Sequence, residues 1–251
     1  MNEIIRHERK NAFTGSVESD ATLEFRLPVD MAKLAEFNPP TSEWFKLICG
    51  LAPAESDVWT SKYFKPYQTG VIALAEELER YKPTSVIHYC DSWFIRCCIG
   101  DPNDYSISNE LYLAHKLFWP EISVFIEDFP ADQTLKEFFR QFAGMRESMP
   151  PMSGDFVYND LQLLDDLVSG RDTDEYEDWL DALCVYHAVN GDLVLLGEDG
   201  ETGWYVMAEN RVDLFTSSFD EMLQLWAEFR STWNKPFDSY SASEFLRNRN
   251  Q

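Results

Sequence analysis

Apolar residues recur at two different periods along this chain, and the change between them organises it. From Leu23 to Leu51, the positions Leu27, Met31, Leu34 and Phe37 fall at helical spacing before a Pro39-Pro40 break. Thr41-Ser42 can cap a second short helix with Trp44, Phe45 and Ile48 on its inner face. Residues 52–69 read as a loop rich in aromatics. Val71, Leu74, Ala75, Leu78 and Tyr81 then form one helical stripe, stopped before Pro83. The composition turns β-like in Val86-Ile87-His88-Tyr89 and Trp93-Phe94-Ile95, with a turn expected at Asp91-Ser92. A helix is expected from about Ser108 to Trp119, and a short strand from Ile122 to Ile126.

Further along, Asp132 caps an expected helix carrying Leu135, Phe138, Phe139 and Phe142, which Gly144 would end. Met145 to Gly154, with Pro150-Pro151, reads as a loop and a boundary. Leu161, Leu164, Leu167 and Val168 predict a short helix closed by Gly170, and Tyr176, Trp179, Leu180 and Leu183 the apolar face of another. Four short strands follow: Val185–Val189, Leu193–Leu196, Trp204–Ala208 and Val212–Phe215. Asn190-Gly191-Asp192, Glu198-Asp199-Gly200 and Glu209-Asn210 supply the turns. Ser218-Phe219-Asp220-Glu221 is a capping box opening a helix with Phe219, Met222, Leu223, Trp226 and Phe229 inside.

These elements predict an α+β protein: helices packed on a small antiparallel meander with a closing C-terminal helix, plus an N-terminal mixed α/β region. The expected divisions are a mobile arm at 1–22, an N-terminal region at 23–131, an α+β domain at 132–232 and a C-terminal tail at 233–251.

Composition narrows the setting. The 251 residues are 45% hydrophobic, enough for a sizeable core, and contain no run of eighteen apolar residues, so no membrane span is expected. Met1 to Lys10 is charged with no apolar segment behind it, so no secretory signal is expected. Five cysteines (Cys49, Cys90, Cys97, Cys98 and Cys184) form an odd, irregular set that suits reduced thiols and a cytoplasmic protein. The net charge of −23 disfavours nucleic acid and anionic membrane and attracts basic partners, although acidity also simply confers solubility. Residues 151–251 hold 21 acids against 6 bases, so most of the excess lies there.

Candidate chemistry is sparse. No Cys-x-x-Cys, His-x-x-x-His, phosphate loop or nucleophile elbow occurs, and adjacent Cys97 and Cys98 on a strand point to opposite faces. No metal and no cofactor is expected. Cys184 and His187 lie three apart, but where helix is expected to give way to strand, and no acid partner stands out. A dyad of Cys90 with His88 or His115 can be drawn, yet its spacing is no better than chance. The densest acidic run, Asp155 to Asp181, holds ten acids and the single base Arg171. It reads equally well as the solvated outer face of a helix or as a docking face for a basic partner, with Tyr176 and Trp179 as anchors.

Residues 132–232 resemble the SUKH superfamily, which includes fungal glucan-synthesis regulators and bacterial immunity proteins. Leu135 to Gly144 is similar to that family's early helix and its glycine. Gly191 to Gly200 is similar to its central Gly-Asp strand and turn, and Ser217 to Leu223 to its closing helix. The family's Leu-Pro opening is not reproduced there; Leu27-Pro28 occurs far upstream. The resemblance implies a non-enzymatic protein that binds and neutralises a toxin, often a nuclease. The interface expected from the acidic run comprises Asp172, Asp174, Glu175, Tyr176, Glu177, Asp178, Trp179 and Asp181, with Glu198, Asp199 and Glu201 of the following turn. A regulator or scaffold of the same fold, an enzyme using His88, Cys90 and His115, and a DNA mimic are the other readings.

Overall fold

Among the described residues eleven strands, each paired with the next in chain order, make one antiparallel meander with no crossover. The structure is a computed structural model that describes residues 4–7, 22–41, 43–50, 76–77, 79–89, 92–104, 110–114, 144–147, 155–157, 162–171, 173–233 and 235–249. The strands are β1 (Ile4–His7), β2 (Thr22–Arg26), β3 (Lys82–Tyr89), β4 (Ser92–Cys98), β5 (Glu110–Ala114), β6 (Gly144–Arg146) and β7 (Asp155–Val157) in the first part. β8 (Leu183–His187), β9 (Leu193–Leu196), β10 (Thr202–Val206) and β11 (Arg211–Thr216) complete the sheet. The helices with described bounds are α1 (Met31–Leu34), α2 (Glu43–Cys49), α3 (Leu164–Leu167), α4 (Phe219–Thr232) and α5 (Ser239–Arg249). The α+β class and the capped helix after the meander are those the pattern predicts.

The last four strands fall within a residue or two of their expected places, because glycine turns separate them. Gly191 and Gly200 take φ of +92° and +89°, a backbone region open to glycine at no steric cost. The β3–β4 hairpin is also as expected, with Val86 opposite Ile95 and Ile87 opposite Phe94. In α4 the five predicted inward residues are all buried, each such side chain contributing about 1.5–3 kcal/mol. The cap differs in one bond. The Ser218 side chain accepts from the Glu221 amide, but the Glu221 carboxylate accepts from the amide and hydroxyl of Ser217, one residue earlier than the usual box.

Several expectations give way. Residues 4–7, placed in a mobile arm, pair with β2. The segment around Leu27 is the strand β2 followed by α1 and a 3-10 turn at Ala35–Phe37, not one helix. Glu110–Ala114 is a strand within the expected helix at 108–119, and its partners on both sides decide the matter, since β5 bonds β4 and β6. Gly144 is the first residue of β6, and Met145 and Arg146, expected in a loop, pair with β5 and β7. Tyr176 to Leu183 forms only a 3-10 turn at Glu177–Trp179 before β8 begins. The tail at 233–251 contains α5, whose Ala242 and Phe245 are buried. The expected elements at 52–69, 122–126 and 132–143 lie outside the described residues.

The sheet and the main core both run across residue 132. One cluster joins Phe25, Trp93, Ile95 and Leu111 to Val185, Tyr186, Trp204, Trp226 and Phe229. A polar chain reinforces it. Arg230 of α4 donates to the Tyr81 hydroxyl at 2.8 Å and the Glu110 carbonyl at 2.6 Å. Trp226 and Tyr186 donate to the two oxygens of the buried Glu147 carboxylate at 2.5 and 3.0 Å. On the opposite sheet face, Arg96, fully buried, donates to Glu110 at 2.6 Å and Glu24 at 3.2 Å, while Ser85 donates to Glu24 at 2.6 Å. Buried charges of this kind persist only when paired and hydrogen-bonded.

Candidate partner-docking surface

The acidic run is held on the sheet by its few apolar residues. Leu164, Val168, Tyr176 and Ala182 pack against Cys184, Leu193, Leu195 and Tyr205. Backbone bonds close the segment on itself: the Leu164 amide donates to the Ala182 carbonyl and the Asp165 amide to the Leu180 carbonyl, both at 3.0 Å. Gly170, with φ +86°, turns the chain after α3. With the apolar positions turned inward, Asp165, Asp166, Asp174, Glu175, Glu177, Asp178 and Asp181 are exposed. Asp172 lies outside the described residues.

Tyr176 is not a surface anchor. It is 2% exposed, stacks edge-on against Tyr205 at 5.4 Å and donates to the Asn210 side chain at 3.1 Å. Arg171, the single base of the run, donates to the Tyr205 hydroxyl at 2.8 Å. It ties the segment to β10 as well as tempering its charge.

Trp179 does reach the surface, half-buried, and it joins the two acidic stretches. Its indole lies over both Gly197 and Gly203, 3.5 Å and 2.9 Å from where a side-chain carbon would begin on each. Gly197 and Gly203 flank the β9–β10 turn, where the Gly197 amide donates to the Glu201 carbonyl at 2.9 Å. Glu198 and Asp199 at the tip are exposed and Glu201 is half-buried. The residues at 174–181 and 198–201, twenty or so apart in sequence, therefore adjoin through one indole.

One surface residue escaped sequence reasoning. Leu214 of β11 is 74% exposed, the most exposed of the large apolar side chains among the described residues. Leu214 and Phe215 are adjacent apolar residues, so alternation alone cannot say which faces inward. An irregular register settles it: Thr202 pairs with Thr216 but Gly203 with Leu214. Phe215 thereby packs on Trp204 and Phe237. Leu214 shares a sheet face with Gly203, and so with Trp179 above it.

Of the candidate catalytic residues, His88 stacks between Phe37 and Trp93, at 5.7 and 4.9 Å, while Cys90 and His115 lie outside the described residues. Cys184 and His187 do meet, Sγ to Nε2 at 3.4 Å. A bulge in β8 between Cys184 and Tyr186 spends one extra residue and turns both to the same face. Cys184 is 1% exposed, which makes the pair a contact of the core. Burial also pushes the Cys49 thiol up to about 12 and raises those of Cys97 and Cys98, the opposite of an activated nucleophile. Among the described residues no group of three or more His, Cys, Asp or Glu could hold a metal ion, and no helix is long and apolar enough to cross a membrane.

No protein-family model, curated protein or solved structure matches this chain.

Proposed function

We propose that this chain is a non-enzymatic binding protein that docks a basic protein on the surface formed by residues 174–181 and 198–201. The observation that supports this reading is the packing of Trp179 on Gly197 and Gly203, which joins two acidic stretches around one half-buried aromatic. Interfaces draw their energy from such central aromatics and their specificity and encounter rate from the surrounding charge. In the likeness of residues 132–232 to the SUKH superfamily, the partner is a toxin, and the chain blocks it inside the cell that makes it.

The test is capture on the purified full chain from its native source at low and high salt, followed by co-expression. A single basic protein released by salt, whose toxicity to an expression host disappears when this chain is co-expressed, supports the immunity reading. A captured partner that is harmless to the host moves the protein to a regulator or scaffold.

A further inference from the structure

β11 is the last strand of the sheet and has β10 as its one neighbour among the described strands. Natural sheets blunt such edges with charge, proline, bulges or cover, because the unpaired backbone groups accept further strands. In β11 the charges sit at one end and satisfy each other. Arg211 binds Glu209 at 2.7 Å and Asp213 at 2.6 Å. From Leu214 to Thr216 the edge carries no charge, and Leu214 stands in solvent beside the Trp179 face. The acids at 174–181 and 198–201 border that same face.

We propose that β11 is a strand acceptor. An extended segment of the basic partner adds to its outer edge as a further strand, an apolar side chain covering Leu214 and Trp179. Lysine or arginine two positions to either side, on the same face by strand alternation, meets the acids. This mode rests on the docking surface proposed above and specifies how it is used. A second copy of the chain is a poor occupant, since pairing β11 with itself would bring together two chains of net charge −23 and their acidic borders.

The test uses the full chain and a capped peptide, Lys-Thr-Lys-Thr-Val-Thr-Lys, about the length of one strand. Two further versions carry N-methyl groups on alternate amides, one set on each edge of the strand. The expected result is binding at low salt, protection of β11 amides from hydrogen exchange, and loss of binding for only one of the methylated peptides. Leu214→Thr, at an exposed site, should weaken the parent peptide about tenfold. If both methylated peptides bind as well as the parent, or Leu214→Thr changes nothing, docking is by charge alone; strand addition is then overturned and the acidic surface stands. If no lysine peptide binds at low salt, both readings fall.

Discussion

Trp179 lies so close across Gly203 that a methyl group on the glycine would stand 2.9 Å from the indole Cη2 and from Val212 Cγ1. Neither neighbour is the free end of a flexible chain, so the contact can be relieved only by moving the indole or the strand. Gly203→Ala should therefore cost about 1–3 kcal/mol, as overpacking does, and displace Trp179 from the junction of the two acidic stretches. Urea unfolding read by circular dichroism checks the first effect. An unchanged midpoint would show that the indole is not seated there.

Asp192, 2% exposed, accepts from the Ser239 hydroxyl at 2.5 Å, the Met207 amide at 3.0 Å and the Asn190 side chain at 2.7 Å. It thus joins two hairpin turns to the start of α5. Asp192→Ala strands these donors at a cost of about 1–3 kcal/mol and loosens α5 first. Limited proteolysis should cut near residue 239 in the variant before any loss of the β-sheet signal.

Glu147 is the acceptor that holds α4 to β6. Removing it as Glu147→Leu leaves Arg230, 3.6 Å away, with a buried charge less well paired, which costs about 3–5 kcal/mol. Soluble expression at reduced temperature and a lowered unfolding midpoint are the expected outcomes.

Stability should rise on mild acidification. Burial raises the Glu147 carboxyl against the pull of Arg230, and raises that of Glu110 against Arg96. A raised carboxyl binds its proton more tightly in the folded chain, so its contribution is full below the ordinary 4.5 and is lost as pH rises through the folded value. Glu221 runs the other way: hydrogen bonds from Ser217 lower it, and its contribution disappears only as pH falls through that lowered value. As pH falls from neutral toward the ordinary 4.5, the raised pair and the easing of net charge act together. Tm should climb over that interval, by about 2–4 °C per kcal/mol gained, and a fall in Tm would contradict the burial of these groups.

What the sequence disclosed followed from how local each signal is. Gly191, Gly200 and the Ser218 cap act within a few residues, so β8 to β11 and α4 were legible almost to their ends. Glu110–Ala114 was not, because Leu111, Tyr112 and Leu113 suit either period and their strand state comes from partners fourteen or more residues away. The buried Arg96 and Glu24 were equally silent, being 72 positions apart. At the candidate site the acids were visible as composition. The burial of Tyr176 and the exposure of Leu214 depend on Tyr205 and on a register shift, which no short window contains.

The most direct test of the central claim is the affinity of the captured partner for the wild-type chain and for a triple variant, Asp174→Lys, Glu175→Lys and Asp178→Lys, across a range of salt. All three residues are exposed, so the changes leave the buried core untouched. The account predicts binding at least about tenfold weaker at low salt and a shallower dependence on salt. Equal affinity and an equal slope in the two proteins would place the partner elsewhere and contradict the assignment of this face.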